Sequence, residues 1–323
     1  MPAAPAIATV GGLVVDMIVS LPELPLRPFE HQSGETFAIE PGGLGNVLVM
    51  ASRLGMRASA LGWIGTDFYG DQTLDILARE GVDTTAVQRP ERSSRICLVL
   101  IDAEGRHVFV GVSGGPGPER LPDSWRPLLA GNSWILGDGY ALRANPRVML
   151  DAFALADGAG EPTTVFDPGP LARLADEPAV GEMLRQSSIV LLTEDEAADL
   201  VGRDTPAAMA QALRVLGPRI VCIKRGAKGV AVATPEDVFS EPAFPIRLRD
   251  ASGAGDAFDA AFVAGLAHGL TVRRAAVLAN AVGALTASKL GTGSRLPTRD
   301  EVVTFLTAHG QEAEDLVPRI HGR

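Results

Sequence analysis

From residue 134 onward, short apolar runs alternate with segments of helical period. Strands are expected at residues 134–136, 163–166, 189–192, 220–224 and 230–233, the last in an antiparallel pairing. Helices are expected at 145–156, after 193–196, and at 207–216, 257–270, 272–289 and 300–308. Strands alternating with helices of about 10–15 residues imply a largely parallel sheet covered on both faces. The first third adds helices at 47–54 and 68–80, the second ending at Gly81, and a strand at 58–64. Residues 7–15 read as one buried strand, broken by Gly11-Gly12 and ended by Asp16. A carboxylate at the C-terminal end of such a strand sits where open α/β sheets bind ligands.

A second pattern interrupts this rhythm. Residues 95–101 and 106–112 are β-rich and joined by Asp102-Ala103-Glu104-Gly105, a hairpin. Residues 35–39 alternate polar and apolar, as a half-exposed strand does, and Pro22, Pro25 and Pro28 exclude a helix before them. Together these segments make a small separate sheet.

The chain has 323 residues, 46% of them hydrophobic, enough for a large core. Its net charge of −10 argues against nucleic acid or an anionic membrane as partner, so any phosphate site has to be local. Cys97 and Cys222 sit in apolar strand-like runs and read as buried thiols of a reducing compartment. The five histidines are scattered and give no zinc spacing. Residues 1–10 have neither the basic stretch nor the apolar core of a signal peptide, and no apolar run reaches a membrane-spanning length. The expected location is the cytoplasm. Residues 311–323 are polar and expected to be weakly ordered.

The chemistry concentrates in Asp250-Ala251-Ser252-Gly253-Ala254-Gly255-Asp256, which runs into an apolar helix. Glycines permit close backbone approach, and the first N–H groups of a helix lack intrahelical acceptors. With the helix dipole they form an anion site suited to phosphate. Asp256 then places a carboxylate beside a site for anions, as a base next to a transferring phosphoryl group would be. The plain alternative is a capped helix, but a buried helix that begins with a charge needs a reason for it.

This stretch resembles the C-terminal signature of the ribokinase-like (PfkB-type) sugar kinases. Pro41-Gly42-Gly43-Leu44-Gly45-Asn46 is similar to their N-terminal signature, although Leu44 stands where a small residue is usual. The resemblance runs from Asp16 to Pro297. It implies a ribokinase-like α/β fold, with a mostly parallel central sheet covered by helices on both faces. It also implies a single domain over residues 1–323, with a small β lid from about 13–40 and 93–114.

The implied activity is ATP-dependent phosphorylation of a sugar hydroxyl. Asp256 would be the base and the N–H groups of Gly253, Ala254 and Gly255 the anion hole. Asp16, Gly42, Gly43 and Asn46 would hold the sugar. Lys224, Gly226 and Gly229, in Lys224-Arg225-Gly226-Ala227-Lys228-Gly229, would belong to the nucleotide site with Thr193 and Asn280. Thr193-Glu194-Asp195-Glu196 resembles the family's Asn-x-x-Glu, so Glu196 would hold Mg²⁺ through water. Asp250 and the Gly291-Thr292-Gly293-Ser294 loop offer a place for a monovalent cation such as K⁺, with Arg295 where a hydroxyl residue often helps. Asp167-Pro168-Gly169-Pro170 departs from the frequent Asp-x-Asn-x-Arg. The lid would also be a clasp for a homodimer.

Three other readings stand beside a sugar kinase. A nucleoside kinase would want stacking aromatics in the lid, where Phe109 is the main candidate. A silent sugar-binding regulator is opposed by the intact Asp256. A dinucleotide-binding oxidoreductase would need Gly-x-Gly-x-x-Gly after the first strand, which Gly11-Gly12-Leu13 does not supply.

Overall fold

Runs of alternately facing apolar residues assemble into one large sheet, and the two apolar faces of that sheet collect separate cores. The computed structural model describes residues 4–157, 163–170 and 178–317. Its strands are β1 (Ala6–Gly12), β2 (Val14–Ser20), β3 (Thr36–Gly42), β4 (Arg57–Trp63), β5 (Arg95–Ile101) and β6 (His107–Val112). They continue with β7 (Trp134–Asp138), β8 (Thr163–Asp167), β9 (Ile189–Thr193), β10 (Ile220–Lys224), β11 (Val230–Ala233) and β12 (Val238–Glu241).

Eight strands form the large sheet in the order β12-β11-β10-β9-β8-β7-β1-β4. Pairings from β4 through β10 are parallel, while β10–β11 and β11–β12 are antiparallel, as expected for residues 230–233. Strand side chains alternate between faces. Ile7, Leu136, Val165, Leu191 and Cys222 pack under helices Leu44–Arg53, Ala254–Ala267 and Val272–Ala287. Ala8, Ile135, Phe166, Val190 and Ile223 pack on the other side with helices Pro146–Asp157, Pro178–Gln186 and Pro206–Val215. Helix Ala254–Ala267 is buried from Ala257 through Gly265, which explains its apolar residues on every side.

The single strand expected over residues 7–15 is two strands. β1 ends at Gly12, Leu13 N donates to Trp63 O at 3.0 Å, and β2 leaves to pair with β3 and β5. Asp16 therefore lies inside a second sheet, opposite Cys97 and Glu40, and not at the end of a strand in the large one. That second sheet has the order β3-β2-β5-β6, with β2 and β5 parallel and the outer pairs antiparallel.

The C-terminal expectation also needs correcting. Ala313–Leu316 is helical, and Ala313, Leu316 and Val317 are buried in the core, because three apolar residues among polar ones suffice to dock the segment. Residues 318–323 lie outside the described residues. Among the described residues, no helix is long and apolar enough to cross a membrane.

Candidate active site

Parallel strands deliver their C-terminal ends to one edge of the sheet, and here three of four neighbouring ends carry charge. β7 ends at Asp138, β8 at Asp167, β9 at Thr193 and β10 at Lys224. Register places Asp138 beside Asp167, and Thr193 beside Lys224. The N-terminus of helix Ala254–Ala267 faces the same edge, with a Cβ built on Gly255 falling 3.6 Å from Lys224 Nζ.

Gly253 caps that helix in the left-handed conformation at φ 71°, which favours glycine. Ala257 N closes the first helical turn onto Gly253 O at 2.9 Å. Ala254 N donates to Ala251 O at 3.2 Å. Among the described residues, the N–H groups of Gly253, Gly255 and Asp256 have no acceptor in the protein. The donors left open at this helix start are thus Gly253, Gly255 and Asp256, with Ala254, one of the three expected, drawn into the turn.

Asp256 Oδ2 accepts from Asn46 Nδ2 at 2.8 Å, and Asn46 Oδ1 accepts from Gly293 N at 2.8 Å. Burial pushes the Asp256 carboxyl up to about 6, against the Asn46 hydrogen bond, which favours the ionised form. Both ends of the Asn46 amide are engaged, so this residue positions the carboxylate.

Asp16 Oδ2 accepts from Thr292 Oγ1 at 3.1 Å, and burial raises the Asp16 carboxyl to about 7. Gly42 lies across β2–β3 from Val14, and a Cβ there would come within 2.2 Å of the Asp16 carboxylate. Only glycine leaves room for that side chain, while Gly43 caps helix Leu44–Arg53. Glu40 Oε2 accepts from Ser294 N and Glu40 Oε1 pairs with Ser294 Oγ, each at 2.8 Å, with Arg295 Nε 3.7 Å away. The small sheet is thereby tied to the 291–295 turn.

Asp250 joins two loops by accepting from Ser252 N at 2.7 Å and Gly291 N at 2.8 Å. The buried Ser252 hydroxyl beside it has no partner among the described residues.

Lys224 is buried. Its Nζ lies 2.9 Å from Asp167 Oδ2 and 3.0 Å from Asp259 Oδ1. Burial alone would lower its pKa, but the two carboxylates outweigh that and raise it. Burial raises the Asp259 carboxyl, and the Lys224 ammonium against both its oxygens opposes that and favours the ionised form. Gly226 and Gly229 bound the short turn after β10, where Arg225 N donates to Gly229 O at 2.8 Å. Glu196 and Thr193 form a capping box, with Thr193 N donating to Glu196 Oε2 at 2.7 Å. Burial raises the Glu196 carboxyl, helped by nearby Asp167. Asn280 Nδ2 donates to the carbonyls of Glu241 and Pro242 at 3.2 and 3.1 Å, so its amide secures the chain after β12.

Four residues join this site without having been singled out from the sequence. Asp138 accepts from Ala141 N at 2.7 Å, and burial raises its carboxyl to about 7. Tyr140 is about half exposed, and its hydroxyl is raised by partial desolvation and by the nearby Asp138, Cys97 and Asp256. Asp259 was visible as a charge inside an apolar helix. Glu40 carried no signal. Cys222 is buried, while Cys97 is half-buried on the cleft side, with burial raising its thiol to about 11.

A family model described as pfkB family carbohydrate kinase matches residues 5–299. The chain is 27% identical over 306 residues to a ribokinase of Bacillus subtilis, covering 93% of this chain and 99% of the relative. It is 31% identical over 270 residues to an ATP-dependent ribose-1-phosphate kinase of Halopiger xanaduensis, covering 82% and 86%. Among solved structures, Arabidopsis thaliana ribokinase complexed with ribose and ATP aligns at a TM-score of 0.80 and 22% identity, covering 94% of this chain and 99% of that one.

Proposed function

The chain belongs to the PfkB family of carbohydrate kinases, and from that membership we propose that it transfers the γ-phosphoryl group of ATP to a hydroxyl of a sugar or sugar-like acceptor. The observation that carries the site assignment is Asp256, hydrogen-bonded to Asn46 beside three N–H groups that have no acceptor among the described residues. A carboxylate with a pKa near 6 is mostly ionised at neutral pH and is a stronger base than an ordinary aspartate.

The residues present fit a nucleotide and a divalent ion. The Gly253, Gly255 and Asp256 N–H groups suit developing charge on a phosphoryl group. Lys224, held by Asp167 and Asp259, sets a cation beside them. Gly226 and Gly229 shape the turn that follows β10, where the nucleotide would lie with Thr193 nearby. Asn280 supports that region through the chain after β12. Glu196 and Asp167 offer carboxylate oxygens for Mg²⁺ held partly through water. The ion would neutralise charge on the clustered phosphates.

On the acceptor side, Asp16 receives hydroxyl protons, and Gly42 and Gly43 let the chain pass close to the sugar. Asn46 keeps Asp256 aimed at the attacked hydroxyl. The second sheet serves as the lid of a single kinase domain and keeps water from the phosphoryl group. Asp250 and the orphan Ser252 hydroxyl give a footing for a potassium ion, which a comparison of potassium and choline salts would test. Because relatives are named ribokinase and ribose-1-phosphate kinase, ribose and ribose 1-phosphate are the acceptors to try first. A nucleoside acceptor keeps a footing in Phe109, which lies exposed on the cleft-facing side of the lid against His107, with ring centroids 4.6 Å apart.

The test is an ADP-release screen over sugars, sugar acids, sugar phosphates and nucleosides, repeated with Asp256→Asn. The expected result is turnover with one of these classes and a fall in kcat of at least ~10² in the variant. Near-full turnover by the variant would remove Asp256 as the base.

A further inference from the structure

Strand parity decides which lid residues look into the cleft. Asp16 and Cys97 are cross-strand neighbours on the cleft side, and Arg95, two residues before Cys97 on β5, shares their face. Arg95 is half-buried at the base of the lid, and its charge acts on the buried Asp138 carboxyl across the cleft. Three other cations near the site are paired. Lys224 lies 2.9 Å from Asp167, Arg225 lies 3.2 Å from Glu194, and Arg295 lies 3.7 Å from Glu40. The Arg95 guanidinium has neither a hydrogen bond nor an ion pair among the described residues, its backbone being part of the β2–β5 ladder. A half-buried guanidinium with five donors and no acceptor is a receptor for a planar or tetrahedral anion.

Resting on the kinase reading above, we infer that the acceptor carries an anionic group, a carboxylate or a phosphate ester, which the Arg95 guanidinium receives at the base of the lid. Cleft carboxylates at Asp16, Asp138 and Asp256 accept hydroxyl protons but repel such a group, so its position is fixed to the Arg95 side. Arg95 therefore selects the acceptor and orients its hydroxyl toward Asp256.

Calorimetric binding without nucleotide tests this with two matched series: D-ribose, D-ribonate and D-ribose 5-phosphate, and D-glucose, D-gluconate and D-glucose 6-phosphate. A charged member should bind about tenfold or more tightly than its neutral parent. Arg95→Gln should remove that advantage while leaving the neutral sugar unchanged, and Arg95→Lys should restore part of it. The aldonate and phosphate arms tell which anion is preferred. Neutral sugars binding as well as charged ones, equal weakening of both by Arg95→Gln, or no binding in either series would overturn the inference. ADP release separates it from the kinase reading. Arg95-dependent binding without ADP release from any acceptor in the screen would sink the kinase alone. Turnover of a neutral sugar, unaffected by Arg95→Gln, would sink the inference alone.

Discussion

Asn46 Nδ2 donates to Asp256 Oδ2 over 2.8 Å, joining the first long helix to the carboxylate 210 residues later. Gly293 N fixes the other end of the same amide at 2.8 Å, so the amide's orientation is set by the backbone of the 291–295 turn. An Nδ2 donor favours the charged form of Asp256, opposing the burial that raises it. The relationship explains how a buried carboxylate stays basic without becoming permanently protonated.

Removing that donor has a signed consequence. In Asn46→Ala the Asp256 pKa should rise above its present value of about 6, because burial then acts unopposed by that bond. With Asp256 as the proposed base, the acid limb of kcat should move to higher pH and kcat at pH 7 should fall by ~10-fold or more. A pH–rate profile measures both. An unshifted acid limb would show that Asn46 does not set the charge of Asp256.

The residues legible in the sequence were those held in one short stretch of chain. Gly253 through Asp256 could be placed because a turn and a helix start fix their relation locally. Lys224 and Glu196 could be placed on the right elements, but not in contact with their partners. The Lys224–Asp167–Asp259 cluster arises from three separate elements, and no local pattern encodes it. Asp138 ends the β7 run much as Asp167 ends β8, and the rule about strand ends in α/β sheets applied to both would have found it. Asp16 went astray for the opposite reason. One apolar run supplied two strands, and only the pairing of β2 with β5 reveals the change of sheet.

Glu196 gives a prediction about metal. Its Oε2 accepts from Thr193 N in the capping box, and Glu196→Gln retains an oxygen for that bond. Thermal stability should therefore change little, while the loss of negative charge should raise the magnesium concentration needed for half-maximal activity by several-fold. Chelation should abolish activity in both proteins. Superimposable magnesium titrations would remove Glu196 from the metal site.

Asp138 makes stability depend on pH. Its folded pKa of about 7 exceeds the ordinary 3.8, so the folded state binds the proton more tightly. That contribution is fully present below about pH 4 and is lost as pH rises through about 7. Asp138→Asn keeps an acceptor for Ala141 N and removes the buried charge. The variant should melt above the parent at pH 8, with an upper bound of about 4 kcal/mol, and the gain should vanish toward pH 4. Calorimetry at both values checks it, and a gain confined to the acid side would contradict the sign.

The lid predicts an assembly. On its outer face, strand parity groups Phe37 of β3 with Val108, Val110 and Val112 of β6. Their exposures are 60%, 44%, 47% and 55%, and every residue of β6 is exposed. The main body covers only the base of this face, where Val15, Ile39 and Ile96 pack against its core, and leaves these four side chains uncovered. A second copy of the chain can, in a two-fold contact between lids. Static light scattering at micromolar concentration should return a dimer mass. Val108→Glu with Val110→Glu should return a monomer, since a like charge from each copy would meet across the axis. Acceptor affinity should weaken in that variant, because closure of an unclasped lid has no neighbour to brace it. A monomeric parent, or a dimer undisturbed by the two charges, would exclude the clasp.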